Sequence, residues 1–354
     1  MPENFLIYGS NGYTGNLIVQ LAAEQGLDPV LAGRSIEKIS IQARGFGFEH
    51  NAFSLEMTEA LHQALEYVDV VLHCAGPFAH TSKQMVDACI QTKTHYIDIT
   101  GEAAVFEAIA ARDEEAKETG VMLLPGVGFD VVPTDCMASY LKNSLPEANR
   151  LTMALYNSGG LHLSRGTATT MAENINQGGL IRKDGILTKV PAAWKSKMID
   201  FGQGPQLTVT IPWGDVSTAY YTTGIPNIEV YAAVSNSVHR GMKATRLLGW
   251  LLSAAPLQYL MKRRIESGPP GPTDEFRKNG RSFIWGQVED EEGNTIISRL
   301  ETPEAYTLTA MTALSAVRRI FEGQVKPGFQ TPSLVFGSDF ILEYAGVVWE
   351  DVET

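Results

Sequence analysis

Three glycines at a spacing of three lie near the start of the chain, in the stretch YGSNGYTGNL, as Gly9, Gly12 and Gly15. An apolar run precedes them and a helical pattern follows. Glycine loses more backbone freedom on folding than other residues, so its use here indicates a tight turn or a close approach to the backbone. In a strand–turn–helix unit, such glycines allow the turn, the approach of a pyrophosphate and helix–strand packing. The stretch therefore predicts a dinucleotide site, with a purely structural turn as the alternative.

The end of the second predicted strand, LAGRS, indicates which dinucleotide is bound. An NAD site usually carries an acid about 20 residues beyond the glycines, where it binds the ribose hydroxyls. Here Gly33 stands at that place, followed by Arg34 and Ser35. A guanidinium can pair with a 2′-phosphate and a hydroxyl can donate to it. NADP is the predicted cofactor, and a solvated surface arginine is the alternative.

Short apolar runs alternate with helical patterns over the first part of the chain. The predicted strands are Phe5–Tyr8, Pro29–Ala32, Val68–Cys74, Tyr96–Ile99 and Val121–Leu124. Helices are predicted near 14–25, 57–66, 81–91 and 103–118, and Pro133 is well placed to open a further one. Such alternation produces right-handed βαβ units. The sequence therefore predicts an α/β fold with a Rossmann-type, doubly wound parallel sheet.

The pattern changes at about residue 150, where strand-like segments dominate. These are LTMALYN, QLTVTIP, IEVYAAV and a hairpin, FIWGQVED-EEGN-TIISRL, closed by Gly293. An amphipathic helix follows Pro303. We therefore expect an NADP-binding Rossmann domain over 1–148, a mixed α/β domain for substrate binding or dimerisation over 149–302, and a C-terminal segment over 303–354 that returns to the first domain.

Composition restricts the partners. The 354 residues carry a net charge of −12, which argues against a general nucleic-acid binder. Three cysteines and seven scattered histidines, without a C-x-x-C pair, argue against disulfides and against a metal site. The N-terminus lacks the pattern of a signal peptide, and no apolar run reaches the roughly 18 residues of a spanning helix. We therefore expect a soluble cytoplasmic protein that binds small molecules.

Three further loops should leave the carboxyl edge of the sheet, where open α/β sheets bind ligands. The loop CAGPF offers Gly76 and Pro77 beside the nicotinamide or ribose, and Phe78 as a wall. The loops YIDITGE and PGVGFDVVPTD carry the candidate proton donors, in order of preference Asp130, Glu102, Asp98 and Tyr96. Capping of helices is the alternative role for the acids.

Two segments of the second part add further candidates. Ser164 should cap a helix whose first turn, Arg165, Gly166 and Thr167, offers donors to a substrate carboxylate or phosphate; an ordinary capped helix is the alternative. The segment 240–264 has basic residues at both ends, no acid and an apolar middle. It could lie in a membrane interface or cover a hydrophobic substrate. The alternative is a buried core helix broken at Pro256.

The chain resembles the saccharopine dehydrogenase-like oxidoreductases, in particular the branch that contains the trans-acting enoyl reductases. The motifs that carry the resemblance span nearly the whole chain and are YGSNGYTG, AGRS, GPF, YIDITGE, PGVGFDVVPTD, SRGTATTM, PWGDVSTAYYTTGIPNIEVY and GFQTPSLVFGSDFILE. By position, the resemblance implies cofactor contacts from Gly9, Asn11, Gly12, Tyr13, Thr14, Gly15, Arg34, Ser35 and Gly76, to which we add the flanking Ser10, Ala75, Pro77 and Phe78.

The resemblance and the residues together leave three functions open. The first is an NADP-dependent reductase that moves a hydride to or from a hydrophobic carbonyl or enoyl substrate. The second is a dehydrogenase of an amino-acid-like secondary amine, although saccharopine-forming enzymes carry a different loop where this chain has GFDVVPTD. The third is a non-catalytic NADP-binding scaffold or redox sensor. A homodimer and peripheral membrane contact through 240–264 also remain open.

Overall fold

A computed structural model describes residues 4–160, 162–252 and 254–352. It contains two compact units: the described residues of Met1–Val132 with Tyr306–Phe336, and those of Pro133–Ala305 with Gly337–Thr354. These divisions fall at 132/133, 305/306 and 336/337, whereas the sequence predicts 148/149 and 302/303. The sequence also predicts that all of 303–354 returns to the first domain, but the described residues after Phe336 belong to the second unit. The boundary at 132/133 differs from the predicted 148/149 because of packing. A Cβ at Gly286 in the second unit would lie 2.8 Å from Cδ1 of Leu141, which belongs to the helix Val132–Ser144. The helix that follows Val132 therefore packs with the second unit.

The first unit contains a parallel sheet. Its strands are β1 (Phe5–Tyr8), β2 (Val30–Gly33), β3 (His50–Ala52), β4 (Val70–His73), β5 (His95–Asp98), β6 (Met122–Leu124) and β15 (Gly328–Phe329). They pair in the order β15-β6-β5-β4-β1-β2-β3, and each pairing is parallel. All residues of β1 and β4 are buried, as expected of a parallel sheet covered on both faces. The predicted Rossmann-type sheet is confirmed.

Helices connect these strands. They are α1 (Tyr13–Glu24), α2 (Ile36–Phe46), α3 (Thr58–Leu65), α4 (Phe78–Thr92), α5 (Ala103–Ala110), α6 (Asp113–Thr119), α13 (Ala305–Phe321) and α14 (Pro332–Phe336). The single helix predicted over 103–118 is wrong, because α5 and α6 are separate. The first turn of α6 contains three acids, Asp113, Glu114 and Glu115, which are stabilised by the positive end of a helix dipole.

The sequence pattern missed α2 and β3. The apolar residues Ile36 and Ile41 of α2 are 60% and 58% exposed, so they do not mark a buried face. Ser35 caps the start of α2 by accepting from Lys38 N, and Gly47 ends it in the left-handed region at φ +79°. β3 has three residues, none of them fully buried. The buried face of α2 carries only Ile39 and Ala43, and a three-residue strand is too short for an apolar alternation to reveal it.

The second unit contains a mixed sheet. Its strands are β7 (Arg150–Asn157), β8 (Gly179–Lys183), β9 (Ile186–Val190), β10 (Ser196–Asp200), β11 (Pro205–Thr210), β12 (Asn227–Ala233), β13 (Arg281–Glu289), β14 (Thr295–Pro303) and β16 (Val348–Val352). The main path runs β10-β11-β12-β7-β13-β14-β16, with β12 and β7 parallel. The predicted hairpin is β13–β14, and Gly293 in its turn has φ +86°. The predicted mixed α/β second domain is confirmed.

The remaining helices belong mainly to the second unit. They are α7 (Val132–Ser144), α8 (Arg165–Glu173), α9 (Asp215–Thr223), α10 (Asn236–Leu252), α11 (Ala255–Ser267), α12 (Asp274–Asn279) and a 3-10 helix over Ser338–Glu343. The segment 240–264 forms most of α10 and most of α11; position 253 lies outside the described residues. No residue of α11 is buried, so the buried-helix alternative is wrong there. Within the described ranges, no helix has the length and apolarity needed to cross a membrane.

Candidate functional site

The loops that follow β1 and β4 touch each other at the carboxyl edge of the first unit's sheet. Gly9 has φ +86°, and a Cβ there would lie 2.8 Å from Ala75 N. The loop after β4 is joined in turn to the loop after β5, because Phe78 N donates to Glu102 Oε1 at 2.7 Å. Parallel strands carry their carboxyl ends on one edge, so these contacts link neighbouring loops into a row.

The loop after β6 completes this row. A Cβ at Gly101 would lie 2.8 Å from Asp130 Oδ2, so the absence of a side chain lets Asp130 pack against the neighbouring loop. Gly126 N donates to Asp98 Oδ1 at 2.8 Å and adds a second link. The glycine turn, CAGPF, YIDITGE and PGVGFD thus form one continuous edge.

The three glycines have different surroundings. A Cβ at Gly15 would lie 2.9 Å from Ser10 Cα, so Gly15 allows α1 to pack on the turn. A Cβ at Gly12 would approach only Gly9 O, at 3.2 Å, and otherwise point into open space. Gly12 is also the N-cap of α1, which has no side-chain cap and no acid in its first turn. The start of this helix therefore suits an anion held close to the backbone.

Gln42 of α2 braces the glycine turn, and sequence reasoning missed it. Its Nε2 donates to Ser10 O at 2.9 Å and to Asn16 Oδ1 at 3.1 Å, while Ser10 Oγ donates to Gln42 Oε1 at 2.8 Å. Asn11 lies over the end of β2, where its Oδ1 would be 3.2 Å from a Cβ at Gly33. The sequence pattern does not predict α2, so it assigns no role to Gln42.

The remaining residues of the predicted turn lie in the first turn of α1. Tyr13 and Thr14 are partly exposed. The ring of Tyr13 packs edge-on against Tyr306 of α13, with the centroids 5.1 Å apart. Helix α13, through Tyr306, therefore packs against the start of α1 within the first unit.

Arg34 and Ser35 stand at the start of α2. Arg34 is exposed, and within the described ranges its guanidinium has no hydrogen bond or ion pair. Ser35 Oγ accepts from Lys38 N at 3.4 Å, which leaves its proton available for donation. Arg34 and Ser35 thus offer two donors at a helix N-terminus, and position 33 holds a glycine instead of an acid. This arrangement suits a phosphate.

The CAGPF loop begins α4. Thr81 Oγ1 donates to Ala75 O at 2.8 Å and fixes the start of the loop. Gly76 is exposed, whereas Phe78 is 8% exposed and packs edge-on against His73 at 5.3 Å. Burial lowers the pKa of His73 to about 3, so this imidazole is neutral at physiological pH. Pro77 precedes α4 as its N-cap and supplies no side-chain cap.

Glu102 caps α4 from the neighbouring loop. Its Oε1 accepts from Phe78 N at 2.7 Å and its Oε2 accepts from Ala79 N at 3.3 Å. The carboxylate thus occupies the positive end of α4, which Pro77 cannot cap. These contacts of Glu102 agree with helix capping, the alternative role that the sequence leaves open for the acids.

Tyr96 and Asp98 form a buried pair, and both are 0% exposed. Tyr96 OH donates to Asp98 Oδ2 at 2.5 Å, and Thr100 N donates to Asp98 Oδ1 at 3.0 Å. Burial raises the pKa of Asp98 to about 6, although the hydrogen bonds from Tyr96, Thr100 and Gly126 act in the opposite direction. Burial and the charge of Asp98 raise the pKa of Tyr96 well above its usual value. These contacts hold the loop and leave neither side chain at the surface.

Asp130 differs from the other candidate acids. It is partly exposed, and the described part of the chain gives its carboxyl no hydrogen bond or ion pair. Burial raises its pKa from 3.8 to about 7. The next residue, Val131, has φ +150°, which is strained for a β-branched side chain. Strain of this kind is found where function demands a particular backbone.

The predicted anion site of the second unit uses its own donors. Ser164 caps α8 by accepting from Thr167 N at 3.2 Å. Arg165 Nη2 donates to Gly268 O at 2.6 Å, and Arg165 N donates to Pro270 O at 3.1 Å. Gly166 is exposed in the same turn. These contacts agree with the ordinary capped helix that was the alternative.

The residues of the first unit fit an NADP dinucleotide. Gly12 leaves room for a pyrophosphate at the uncapped start of α1, and Arg34 and Ser35 can hold a 2′-phosphate. The family model described as the saccharopine dehydrogenase NADP binding domain matches residues 5–124. The match confirms the prediction of NADP as the cofactor and the resemblance to the saccharopine dehydrogenase-like oxidoreductases.

Curated relatives share part of this chain. A human saccharopine dehydrogenase-like oxidoreductase is 26% identical over 164 residues, which cover 41% of this chain and 38% of the relative. A lipid droplet localized protein of Caenorhabditis elegans is 24% identical over 225 residues, covering 54% and 53%. A Mycobacterium tuberculosis protein provisionally named a trans-acting enoyl reductase is 28% identical over 144 residues, covering 38% and 34%. The matched stretch is thus less than two thirds of each relative's length.

A solved structure extends the comparison to the fold of nearly the whole chain. The apo saccharopine dehydrogenase (L-Glu forming) of Saccharomyces cerevisiae superposes with a TM-score of 0.67. The alignment covers 99% of this chain and 100% of that one at 15% identity. At this identity the similarity supports the two-part α/β fold and carries no conclusion about substrate.

Proposed function

We propose that the chain is an NADP-dependent oxidoreductase, and the premise is its match over residues 5–124 to the saccharopine dehydrogenase NADP binding domain. The proposed substrate is a hydrophobic carbonyl or enoyl compound of the acyl or lipid type. Bound NADPH would supply the hydride, while the protein supplies binding, orientation and a proton. The observation that carries the proposal is Asp130, a partly exposed carboxyl without a polar partner among the described residues, beside a strained Val131.

Asp130 is the proposed proton donor. Reduction of a C=O or C=C bond takes up one hydride and one proton, and the reverse reaction releases both. A donor works best when its pKa lies near the working pH, and burial raises the pKa of Asp130 to about 7. Tyr96, Asp98 and Glu102 receive positioning roles instead, because each is engaged within the loops.

The acyl class of the substrate has two supports. The first is the similarity to the Mycobacterium tuberculosis protein named for enoyl reduction. The second is the surface around α11, where Tyr259 and Leu260 are 68% and 61% exposed. Apolar side chains of this size on an exposed helix suit contact with a hydrophobic molecule or a lipid surface.

The same surface supports peripheral membrane contact. Positions 236–265 contain Arg240, Lys243, Arg246, Lys262, Arg263 and Arg264 and no acid, in a chain whose net charge is −12. Lys262 pairs with Glu173 of α8, whereas Arg263 and Arg264 are exposed. Basic residues beside exposed apolar ones favour an anionic lipid surface. The similarity to the lipid droplet localized protein agrees with this proposal.

Turnover assays test the chemistry. NADPH consumption is followed with α,β-unsaturated acyl thioesters and long-chain ketones, and NADP⁺ reduction with an amino-acid-like secondary amine. In the proposed reaction, Asp130→Asn lowers turnover of the acyl substrate by ~10²–10⁴-fold and changes NADPH affinity by less than about threefold. Turnover of the amine alone would favour the saccharopine-type dehydrogenase. NADPH binding without turnover of either class would favour the scaffold or redox sensor.

Liposome flotation tests the membrane contact. The wild type should float with vesicles containing phosphatidylserine at low salt and less at high salt, because salt screens exposed charges. Arg263→Glu/Arg264→Glu should abolish flotation. The matched control is Lys183→Glu/Lys189→Glu, which makes the same charge change on exposed residues of β8 and β9. Equal loss in both variants, or no flotation of the wild type, would contradict the proposal.

A further inference from the structure

The loop that carries Asp130 is held by α13 through two buried threonines. Phe129 N donates to Thr309 Oγ1 at 2.9 Å, and Thr312 Oγ1 donates to Val127 O at 2.7 Å. Thr309 is 7% exposed and Thr312 is 0% exposed. The two hydroxyls therefore bind backbone groups on either side of Gly128, immediately before Asp130.

The loop has no room to shift towards α13. A Cβ at Gly128 would lie 2.9 Å from Thr309 Cγ2, so the backbone rests directly on this methyl group. At the end of β5, Asp98 accepts from Gly126 N at 2.8 Å through its carboxyl and from Val127 N at 2.8 Å through its carbonyl. The loop is thus fixed between β5 and α13.

This fixation precedes the strained residue. Val131 has φ +150°, and a β-branched residue holds such a conformation only where its surroundings determine it fully. Val132 N donates to Gly128 O at 3.0 Å and closes the loop around Asp130. Released from α13, the loop would relax towards an ordinary conformation and carry the carboxyl of Asp130 away from Gly101.

We propose that Thr309 and Thr312 are positioning residues, which hold the 125–131 loop in its strained conformation and keep the Asp130 carboxyl packed against Gly101. The link to turnover rests on the proposed function of Asp130; the link to its position does not. Glu102, the charged residue next to Gly101, has its carboxylate on the N-terminus of α4. A change in the environment of Asp130 would therefore report the position of its own loop.

The test measures the pKa of Asp130 by NMR titration of ¹³C-carboxyl-labelled aspartate, with Asp130→Asn to identify the signal. Thr309→Val keeps the shape and removes the acceptor, whereas Thr309→Ser keeps the hydroxyl. We expect Thr309→Val to lower the pKa of Asp130 by about one unit or more, because the released carboxyl gains water. Thr309→Ser should leave it nearly unchanged. Ser315→Ala, which removes a hydroxyl one turn beyond Thr312 on the same helix, is the matched control.

The outcomes separate this inference from the proposed function. A lowered pKa in Thr309→Val together with reduced turnover supports both. A lowered pKa with unchanged turnover supports the positioning role and contradicts catalysis by Asp130. An unchanged pKa overturns the positioning role, whatever happens to turnover, and so does an equal shift in Ser315→Ala. If Thr309→Val does not fold, Thr312→Val provides the same test through the bond to Val127.

Discussion

Replacement of Arg34 by alanine should distinguish the two nicotinamide cofactors. A hydrogen bond to a charged group contributes about 1.5–3 kcal/mol. Arg34 is exposed, so solvent screens its interaction with a 2′-phosphate and the expected loss lies near the lower end, about 1.5–2 kcal/mol. This corresponds to roughly 10–30-fold weaker NADPH binding. NADH lacks the 2′-phosphate, so its affinity should change by less than about twofold.

Calorimetric titration with both cofactors measures these losses. The fold should be unaffected, because the described part of the chain gives Arg34 no hydrogen bond or ion pair that the alanine would remove. Arg44→Ala is the matched control, since Arg44 lies in the last turn of the same helix. Added salt should reduce the difference between wild type and Arg34→Ala. Equal losses for NADPH and NADH, or an equal loss in Arg44→Ala, would refute the assignment of Arg34 to the 2′-phosphate.

Three further substitutions test other parts of the site. Gly12→Val should abolish NADPH binding in titrations while thermal unfolding stays cooperative, because its side chain would fill the open space at the start of α1; wild-type affinity would make the stretch only a turn. Glu102→Gln should lower the free energy of unfolding by ~1 kcal/mol, because it weakens the cap of α4; unchanged denaturant midpoints would contradict that role. Asp130→Asn should be as stable as wild type below about pH 4 and more stable above about pH 7, by at most ~4 kcal/mol. Burial raises the pKa of Asp130 from 3.8 to about 7, so the wild type loses stability relative to Asp130→Asn as pH rises through this range. Parallel curves of stability against pH for the two proteins would exclude this pKa shift.

The sheet of the first unit was predictable because its signals are local. β1 is a continuous apolar run that ends at the glycine turn, and its predicted bounds are those of the structure. The α2–β3 unit gave a weaker signal, since Ile36 and Ile41 of α2 are exposed beside the buried Ile39, and β3 has only three residues. Helices that bury little apolar surface lack the periodicity from which they could be predicted.

The same distinction applies to the candidate site. Gly12 and Arg34 belong to short motifs whose chemistry can be inferred from the sequence. Thr309 and Thr312 meet the 125–131 loop across 180 and 185 residues of chain, so no local pattern connects them. The φ of Val131 is likewise set by tertiary packing, because the residue type itself favours an extended conformation. Long-range contacts of this kind had to come from the structure.

The acids at this edge differ most in what their oxygens bind. Asp98 accepts hydrogen bonds from Tyr96 OH and from the N–H groups of Thr100 and Gly126, and Glu102 accepts from two N–H groups at the start of α4. Asp130 accepts none within the described ranges, although the neighbouring loops are fixed around it. A carboxyl that braces a loop is stabilised by saturating its oxygens, whereas one that exchanges a proton must keep an oxygen for the substrate. The sequence could nominate all these acids, but only their hydrogen bonds separate the braces from the candidate donor.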